Sequence, residues 1–414
     1  MSTAHHPSTD DFPATAHAAW QRLKAIQPAA YARTRNHLEG AVTRLSPYIT
    51  HGVLSLGQVA RQLQEQHGLN DEHKLMYELG WRAYFQHVWH HEGAGILRSL
   101  HPGPLPDSAY QPDVPVDVRE GRTGLAVIDE AVSTLYRTGY LHNHARLWLA
   151  SYLVHLRKVH WRAGADWMYG HLLDGDLASN HLSWQWVAGT GSHKPYLFNA
   201  DNVARFAPRH WHVSGTLLDT DHDTLLDWAH HADPAPGSAP GPALTRSRLS
   251  GYDAGHEPTL WHQPPFALRS AQAADLEEAW LVHPWALQAP PPAYTDDKPP
   301  RRRVGVFIAA FHRRWGWSTQ RWHFVHALMQ PLCDDIVWLD TLPPASSRCV
   351  DNPHLHIAQG GWPPEALRPP PAWRADPGRR CRSFSQYWRA VSDSAAPSRA
   401  HQPKSGSSAP MIAR

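Results

Sequence analysis

Asp174-Gly175-Asp176-Leu177-Ala178-Ser179-Asn180, followed closely by Trp184-Gln185-Trp186, is the densest polar cluster of the chain. Asp176 is a good N-cap for a helix over 177–187, since its short carboxylate reaches the free N–H groups of the first turn. A turn plus a cap is the plain reading. Asn180 and Trp184 lie four residues apart and so share a face of that helix. A carboxylate, an amide and an indole on one wall also suit a planar, hydrogen-bonding heterocycle, with polar groups reading its edge and the indole near its face.

Upstream, Leu141-His142-Asn143-His144-Ala145-Arg146 places Asn143 and Arg146 three apart on one helical face. This is either a solvated helix start or a buried arginine paired with a carboxylate, for which Asp174 is the natural partner. Thr43-Arg44-Leu45-Ser46-Pro47-Tyr48, with Gly52 and Ser55 following, combines small hydroxyls with a cation and precedes a helix starting near Ser55. Such a segment is a common turn or a phosphate cradle. Glu78, Trp81 and Arg82 follow the i, i+3, i+4 pattern, which gives a helical ion pair or one wall of a cleft. His87, His90 and His91 share that spacing, but no zinc-binding spacing accompanies them, and no metal site is expected.

Around these clusters the apolar residues recur with helical period. Leu75, Leu79, Tyr84 and Val88 mark a helix within 71–92; Leu125, Ile128, Val132 and Leu135 mark one over 123–138; and Leu141, Ala145, Trp148, Leu149 and Tyr152 mark one over 141–157. Strand-like alternation is nearly absent before residue 235, so residues 1–235 are expected to form one large all-helical domain. A Pro/Gly/Ala-rich linker is expected over 236–256 and a small α/β-like unit over 257–392. In that unit Val304–Ile308 reads as a buried strand, 318–330 as a helix, 336–339 as a second strand and 354–358 as a third. Residues 393–414 read as a disordered tail. The fold class is therefore mainly α.

The 414 residues hold 20 Trp against 13 Tyr and 9 Phe, and only 3 Cys. Three scattered cysteines exclude a disulfide scaffold, and no apolar run is long enough to span a membrane. The polar N-terminus lacks a signal-peptide core, so the expected compartment is the cytoplasm. Net charge is −4 over residues 1–235 and +6 over the rest, so the helical part is not an evident polyanion binder.

Taken in order, Arg44-Leu45-Ser46-Pro47-Tyr48, Glu78-Leu79-Gly80-Trp81-Arg82, Gly121-Arg122-Thr123-Gly124, His142-Asn143, the 174–180 cluster and Trp184-Gln185-Trp186 resemble the flavin-binding domain of the DNA photolyase/cryptochrome family. The resemblance covers about residues 31–200. It implies an all-helical domain around a bent FAD. Tyr31, Thr43, Arg44, Leu45, Ser46 and Arg82 would surround the diphosphate and ribityl side. Asp174, Asp176, Asn180, Asn143 and Arg146 would surround the isoalloxazine, with Asp176 at N3–H and Asn180 at N5. The implied chemistry is light-driven electron transfer from reduced FAD to a pyrimidine dimer flipped out of DNA. Trp81 and Trp186 would stack on the dimer, while Glu78 and Asn143 would hydrogen-bond it; Trp184 and Trp161 would supply electrons.

The chain also departs from the family pattern. The third electron-supplying tryptophan has no aligned equivalent, Tyr110 being nearest in sequence. His144 stands where photolyases usually carry a DNA-contacting arginine, and Leu147 replaces the usual substrate-facing methionine. The N-terminal α/β antenna domain is missing, so no antenna chromophore is expected; the 280–360 unit is either a relocated counterpart or an unrelated partner module. Repair of pyrimidine dimers, with damaged DNA as partner, is the leading expectation. A cryptochrome-like photoreceptor is the alternative, and a light-independent flavoprotein the third reading.

Overall fold

The computed structural model describes residues 11–238, 256–290, 302–358 and 360–393. Most of the expected linker and, Asp393 apart, the expected tail lie outside the described residues. Residues 11–238 are helical, as their periodicity requires. The helices are α1 (Ala16–Lys24), α2 (Pro28–Thr34), α3 (Ser46–Thr50), α4 (Leu56–His67), α5 (Lys74–Glu92), α6 (Val116–Arg119), α7 (Ala126–Thr138), α8 (Asn143–Ser151), α9 (Trp161–His171), α10 (Leu177–Ala188), α11 (Ala200–Phe206) and α12 (His222–His230).

Each boundary has a local cause. Ser55 and Gln58 form a reciprocal capping box at the start of α4. Gly68, Gly139 and Gly189 end α4, α7 and α10 in the left-handed conformation that closes helices. α8 stops six residues short of the expected 157 and passes into a π turn over Tyr152–Leu156, all of it buried. α10 is buried on almost every side, only Trp186 being exposed, so it occupies the centre of the helical part. α5, α8 and α9 pack around it.

The C-terminal region forms the expected α/β unit. β2 (Trp280–Val282), β3 (Arg303–Ile308) and β5 (Asp335–Leu339) make a parallel sheet in the order β2-β3-β5. α15 (Thr319–Met329) provides the crossover between β3 and β5 that parallel pairing demands. β4 (Trp317–Ser318) pairs with β1 (Leu260–Trp261), and β6 (Cys349–Val350) with β7 (Leu367–Arg368). Residues 354–358, expected as a strand, are instead part of helix α16 (Pro353–Ala358). Asn352 Oδ1 accepts the His354 N–H and Pro353 presets the first helical φ, so the Asn-Pro pair starts a helix that the Leu355/Ile357 alternation masked.

The unit is fused to the helical part through one apolar core. Leu45, Tyr48, Leu173, Leu177 and Leu182 share that core with Trp280, Trp285, Phe307, Trp317 and Trp322. The last helix, α17 (Phe384–Asp393), returns to lie on α5. Trp388 packs so closely on α5 that a Cβ at Gly80 would lie 2.3 Å from its ring. His87 of α5 accepts the Cys381 N–H and faces Asp376 at 3.2 Å, which ties down the approach to α17.

Several buried histidines are neutral. Burial pushes His142 down to about 3 and His155 and His283 to about 4, and for His142 the neighbouring His144 adds to the shift. In the unfolded chain they titrate near 6.5. Their contribution is therefore complete above pH 6.5 and is lost as pH falls toward 4, because unfolding then takes up three protons. Denaturant melts between pH 6 and 4.5 are expected to show stability falling by about 4 kcal/mol per pH unit from these groups; a flat profile there would contradict their neutral burial.

Candidate functional site

Many of the residues expected at a site converge where α5, α8 and α10 meet the turn that precedes α10. Asp176 caps α10 by accepting the Ser179 N–H at 2.7 Å. It also accepts from Gln86 Nε2 of α5 at 3.1 and 3.0 Å. Asp174, two residues earlier, is buried, and Arg146 of α8 donates to both of its oxygens at 2.9 and 2.8 Å. Arg146 Nε donates to the Leu141 carbonyl, which aims the guanidinium across the turn. Thr50 donates to the Asp174 carbonyl while accepting from Arg82.

Burial by itself would raise both carboxyls. The Arg146 guanidinium outweighs it at Asp174, and Arg82 at Asp176, so both are held below the ordinary carboxylate range. The site therefore combines two ionised carboxylates with two arginines.

A cavity of about 220 Å³ opens beside this turn, lined among others by Ser46, Arg82, Asn143, Arg146, Asp174, Asn180 and Trp184. Seven of the residues expected around a flavin or its substrate thus share one wall. Asn180 donates from Nδ2 to the Ala165 carbonyl at 2.8 Å; this identifies its nitrogen and leaves Oδ1 without a hydrogen bond among the described residues. Ser179, also on the wall, turns its buried hydroxyl toward the same turn, where it acts on Asp176. An unspent amide oxygen on a wall with a paired cation and an indole fits a planar ligand with donors and acceptors on its edge. Arg82 and Ser46 fit its phosphate side.

The remaining expected residues lie around this cavity or away from it. Tyr31 stands close enough to Tyr140, on the cavity wall, and to Glu78 for their charges to act on it. Arg44 adopts a left-handed φ of 50° and pairs with Asp11 at 3.6 Å. Thr43 Oγ1 accepts the Leu45 N–H, and the Leu45 side chain is in the core, so only its backbone is available to a phosphate. Asp176 lines a second, larger cavity of about 840 Å³, which Arg82 also borders. Glu78, half-exposed, faces Arg35 at 3.5 Å.

Trp184 and Trp161 are both buried, and Trp161 Nε1 donates to Ser99 Oγ. His160 touches both Trp161, at 5.7 Å between ring centroids, and Tyr110, at 6.2 Å. Tyr110, the residue nearest in sequence to the missing third tryptophan, thus shares a ring neighbour with the buried Trp161.

Three residues singled out for the DNA side have defined surroundings. Trp81 does not present an open indole: Phe384 of α17 stacks on it at 4.1 Å and 10°. Trp186 is 37% exposed and leans on Tyr196. His144 packs against Phe206, and burial pushes its pKa down to about 4, with Arg35 adding to the shift, so it offers no positive charge at neutral pH. Phe384 and Arg321 carry no sequence signal toward this region because both come from the C-terminal unit; nothing in local spacing relates them to residues some 150 to 300 positions earlier.

Removing Arg146 tests the pair at the centre of the site. Arg146→Met leaves Asp174 buried without its cation and is expected to cost about 3 kcal/mol, at the low end for a broken buried pair because the guanidinium is partly exposed. Arg146→Met/Asp174→Leu is expected to recover most of that loss in urea melts, and failure to recover would mean the ion pair is not what Asp174 depends on.

Residues 75–212 match the family model for the FAD binding domain of DNA photolyase. A deoxyribodipyrimidine photo-lyase of Streptomyces griseus is 34% identical over 164 residues, which are 37% of this chain and 33% of that protein. A chloroplastic/mitochondrial cryptochrome DASH of Oryza sativa subsp. japonica is 33% identical over 177 residues, 41% of this chain and 30% of that protein. The chain thus spans about a third of the length of these curated relatives. A crystal structure of a Synechocystis sp. PCC6803 cryptochrome is 25% identical and covers 54% of this chain and 53% of its own, with a TM-score of 0.42. The paired Arg146 and Asp174, the Asn180 amide and the Trp184 wall all lie inside the matched segment, and in this segment the chain is similar to the FAD binding domain of DNA photolyase.

Proposed function

We propose that this chain uses FAD and blue light to split cyclobutane pyrimidine dimers in DNA. The observation that carries the reading is the single cavity shared by Asn143, Arg146, Asp174, Asn180 and Trp184. FAD, when bound, supplies light-driven electron transfer. The protein's residues set its surroundings. Arg146 keeps Asp174 ionised at the edge of the cavity. Asn180 is neutral and anchored, so it can hold a hydrogen bond without delivering a proton. Trp184 on the cavity wall and the buried Trp161 offer oxidisable indoles. Glu78 has its pKa raised by desolvation against the opposing charge of Arg35, which suits a group that shares a proton with a substrate. Asn143 supplies a second hydrogen-bonding group at the cavity.

A cryptochrome-like photoreceptor is the second reading. Phe384 covers one face of Trp81, and His144 is a neutral side chain where photolyases usually carry a DNA-contacting arginine. Both features weaken the DNA side of the site and leave the flavin side intact.

The deciding experiment illuminates the reduced, FAD-reconstituted chain with dimer-containing single-stranded DNA. Light-dependent restoration of thymines is expected, with a lower quantum yield in Glu78→Ala at unchanged flavin content. No restoration by either the natural chain or Phe384→Ala would exclude repair and leave the photoreceptor reading. In the same preparation Trp184→Phe is expected to slow photoreduction of oxidised FAD, and an unchanged rate would mean that electrons arrive by another route.

A further inference from the structure

Arg321 belongs to α15, in the C-terminal α/β unit, but its side chain is completely buried beneath the Asp174–Asp176 turn of the helical part. The start of α15 is capped by Ser318, whose hydroxyl accepts the Arg321 N–H, and this directs the residue out of its own unit. Nη1 donates to the Tyr169 carbonyl at 3.1 Å and Nη2 to the Gly175 carbonyl. The guanidinium lies against the rings of Tyr169, at 4.7 Å, and Trp317, at 4.1 Å. A Cβ at Gly175 would fall 2.4 Å from Nη1 and 2.7 Å from the Tyr169 carbonyl oxygen, so glycine is required there for the cation and that carbonyl to approach together.

Among the described residues no carboxylate lies within ion-pair distance of Arg321. Its charge nonetheless acts on Asp174 and Asp176, which flank Gly175. A buried guanidinium without a direct carboxylate partner is costly, and an apolar side chain would fill the same space more cheaply. Packing alone therefore does not account for a cation here. Two consequences follow from its position. By holding the Gly175 carbonyl, Arg321 orients the whole planar 175–176 peptide, so that the Asp176 N–H points away from it. It also sets a permanent positive charge behind two flavin-side carboxylates, where little water is present to screen it.

We propose that Arg321 is a positioning residue of the flavin site, supplied by the C-terminal unit, that fixes the Asp174–Asp176 turn and offsets its negative charge so that the reduced, more negatively charged cofactor is favoured. A charge close to the isoalloxazine is one of the levers by which a protein sets flavin potentials. The inference rests on FAD occupying the cavity beside this turn and is independent of whether a DNA lesion is the substrate. It also means that the C-terminal unit is a component of the flavin site.

The test compares the FAD-reconstituted full chain with Arg321→Gln, Arg321→Lys and Gly175→Ala. Flavin content is read by absorbance, the midpoint potential by dithionite titration against a reference dye, and folding by thermal melts. Arg321→Gln is expected to shift the reduced/oxidised affinity ratio about tenfold toward oxidised FAD, about 30 mV more negative for a two-electron couple. Arg321→Lys, which keeps the charge and loses the planar fork, is expected to recover most of that shift. Gly175→Ala keeps the cation but forces it away from the turn, and is expected to move the potential in the same direction as Arg321→Gln; it serves even if Arg321→Gln does not accumulate. An unchanged potential in a folded, flavin-bound Arg321→Gln or Gly175→Ala protein would overturn the proposal, as would equal shifts in the Gln and Lys variants, which would mark a packing effect. A natural chain that takes up no FAD would sink the flavin reading itself, and is recognised before any variant is compared.

Discussion

The structure depends on a charge kept inside the protein. Asp174 is ionised in a buried position because Arg146 donates to both of its oxygens. An isolated carboxylate there would protonate or unfold its surroundings. Arg146 can reach it because α8 begins at Asn143, one residue after the His142 cap, and because the Leu141 carbonyl holds Nε. The turn from 174 to 176 then places Asp176 as the cap of α10, and α10 carries Asn180 and Trp184 to the same cavity. One ion pair thus ties a helix start, a turn and a cofactor wall into a single arrangement.

The tryptophan excess separates along the same lines. Trp184 and Trp161 belong to the site and its buried surroundings. Trp280, Trp285, Trp315, Trp317 and Trp322 are core of the C-terminal unit, where they join its sheet to the helical part. Trp388 and Phe384 cover α5 instead, closing over Trp81 and the bare backbone at Gly80. The C-terminal unit therefore contacts the site in two ways: beneath the 174–176 turn through Arg321, and on the face of α5 through α17.

Much of this was legible from spacing because helices are local. The period of the apolar residues located α5 and α7 within a few residues, the Asp176 cap located α10, and the Asn180/Trp184 spacing put both on one wall. The Arg146–Asp174 pair was readable from the cost of burying either charge alone. Local patterns misled where two structures share them. Leu355 and Ile357 fit a strand, yet Asn352-Pro353 turns the segment into α16. Trp81 lay correctly on α5, but nothing near it in sequence announced Phe384, which sits about 300 residues away.

The sequence by itself determined the helical part, the α/β character of the C-terminal region and which polar residues of α8 and α10 could face one another. Each of these follows from interactions between residues a few positions apart, or from motifs whose chemistry admits few arrangements. Only the tertiary structure decided that the C-terminal unit shares a core with the flavin domain, that Arg321 sits under the Asp174–Asp176 turn and that Phe384 lies on Trp81. Those contacts join segments more than 140 residues apart, and close packing, which has no sequence period, is what selects them.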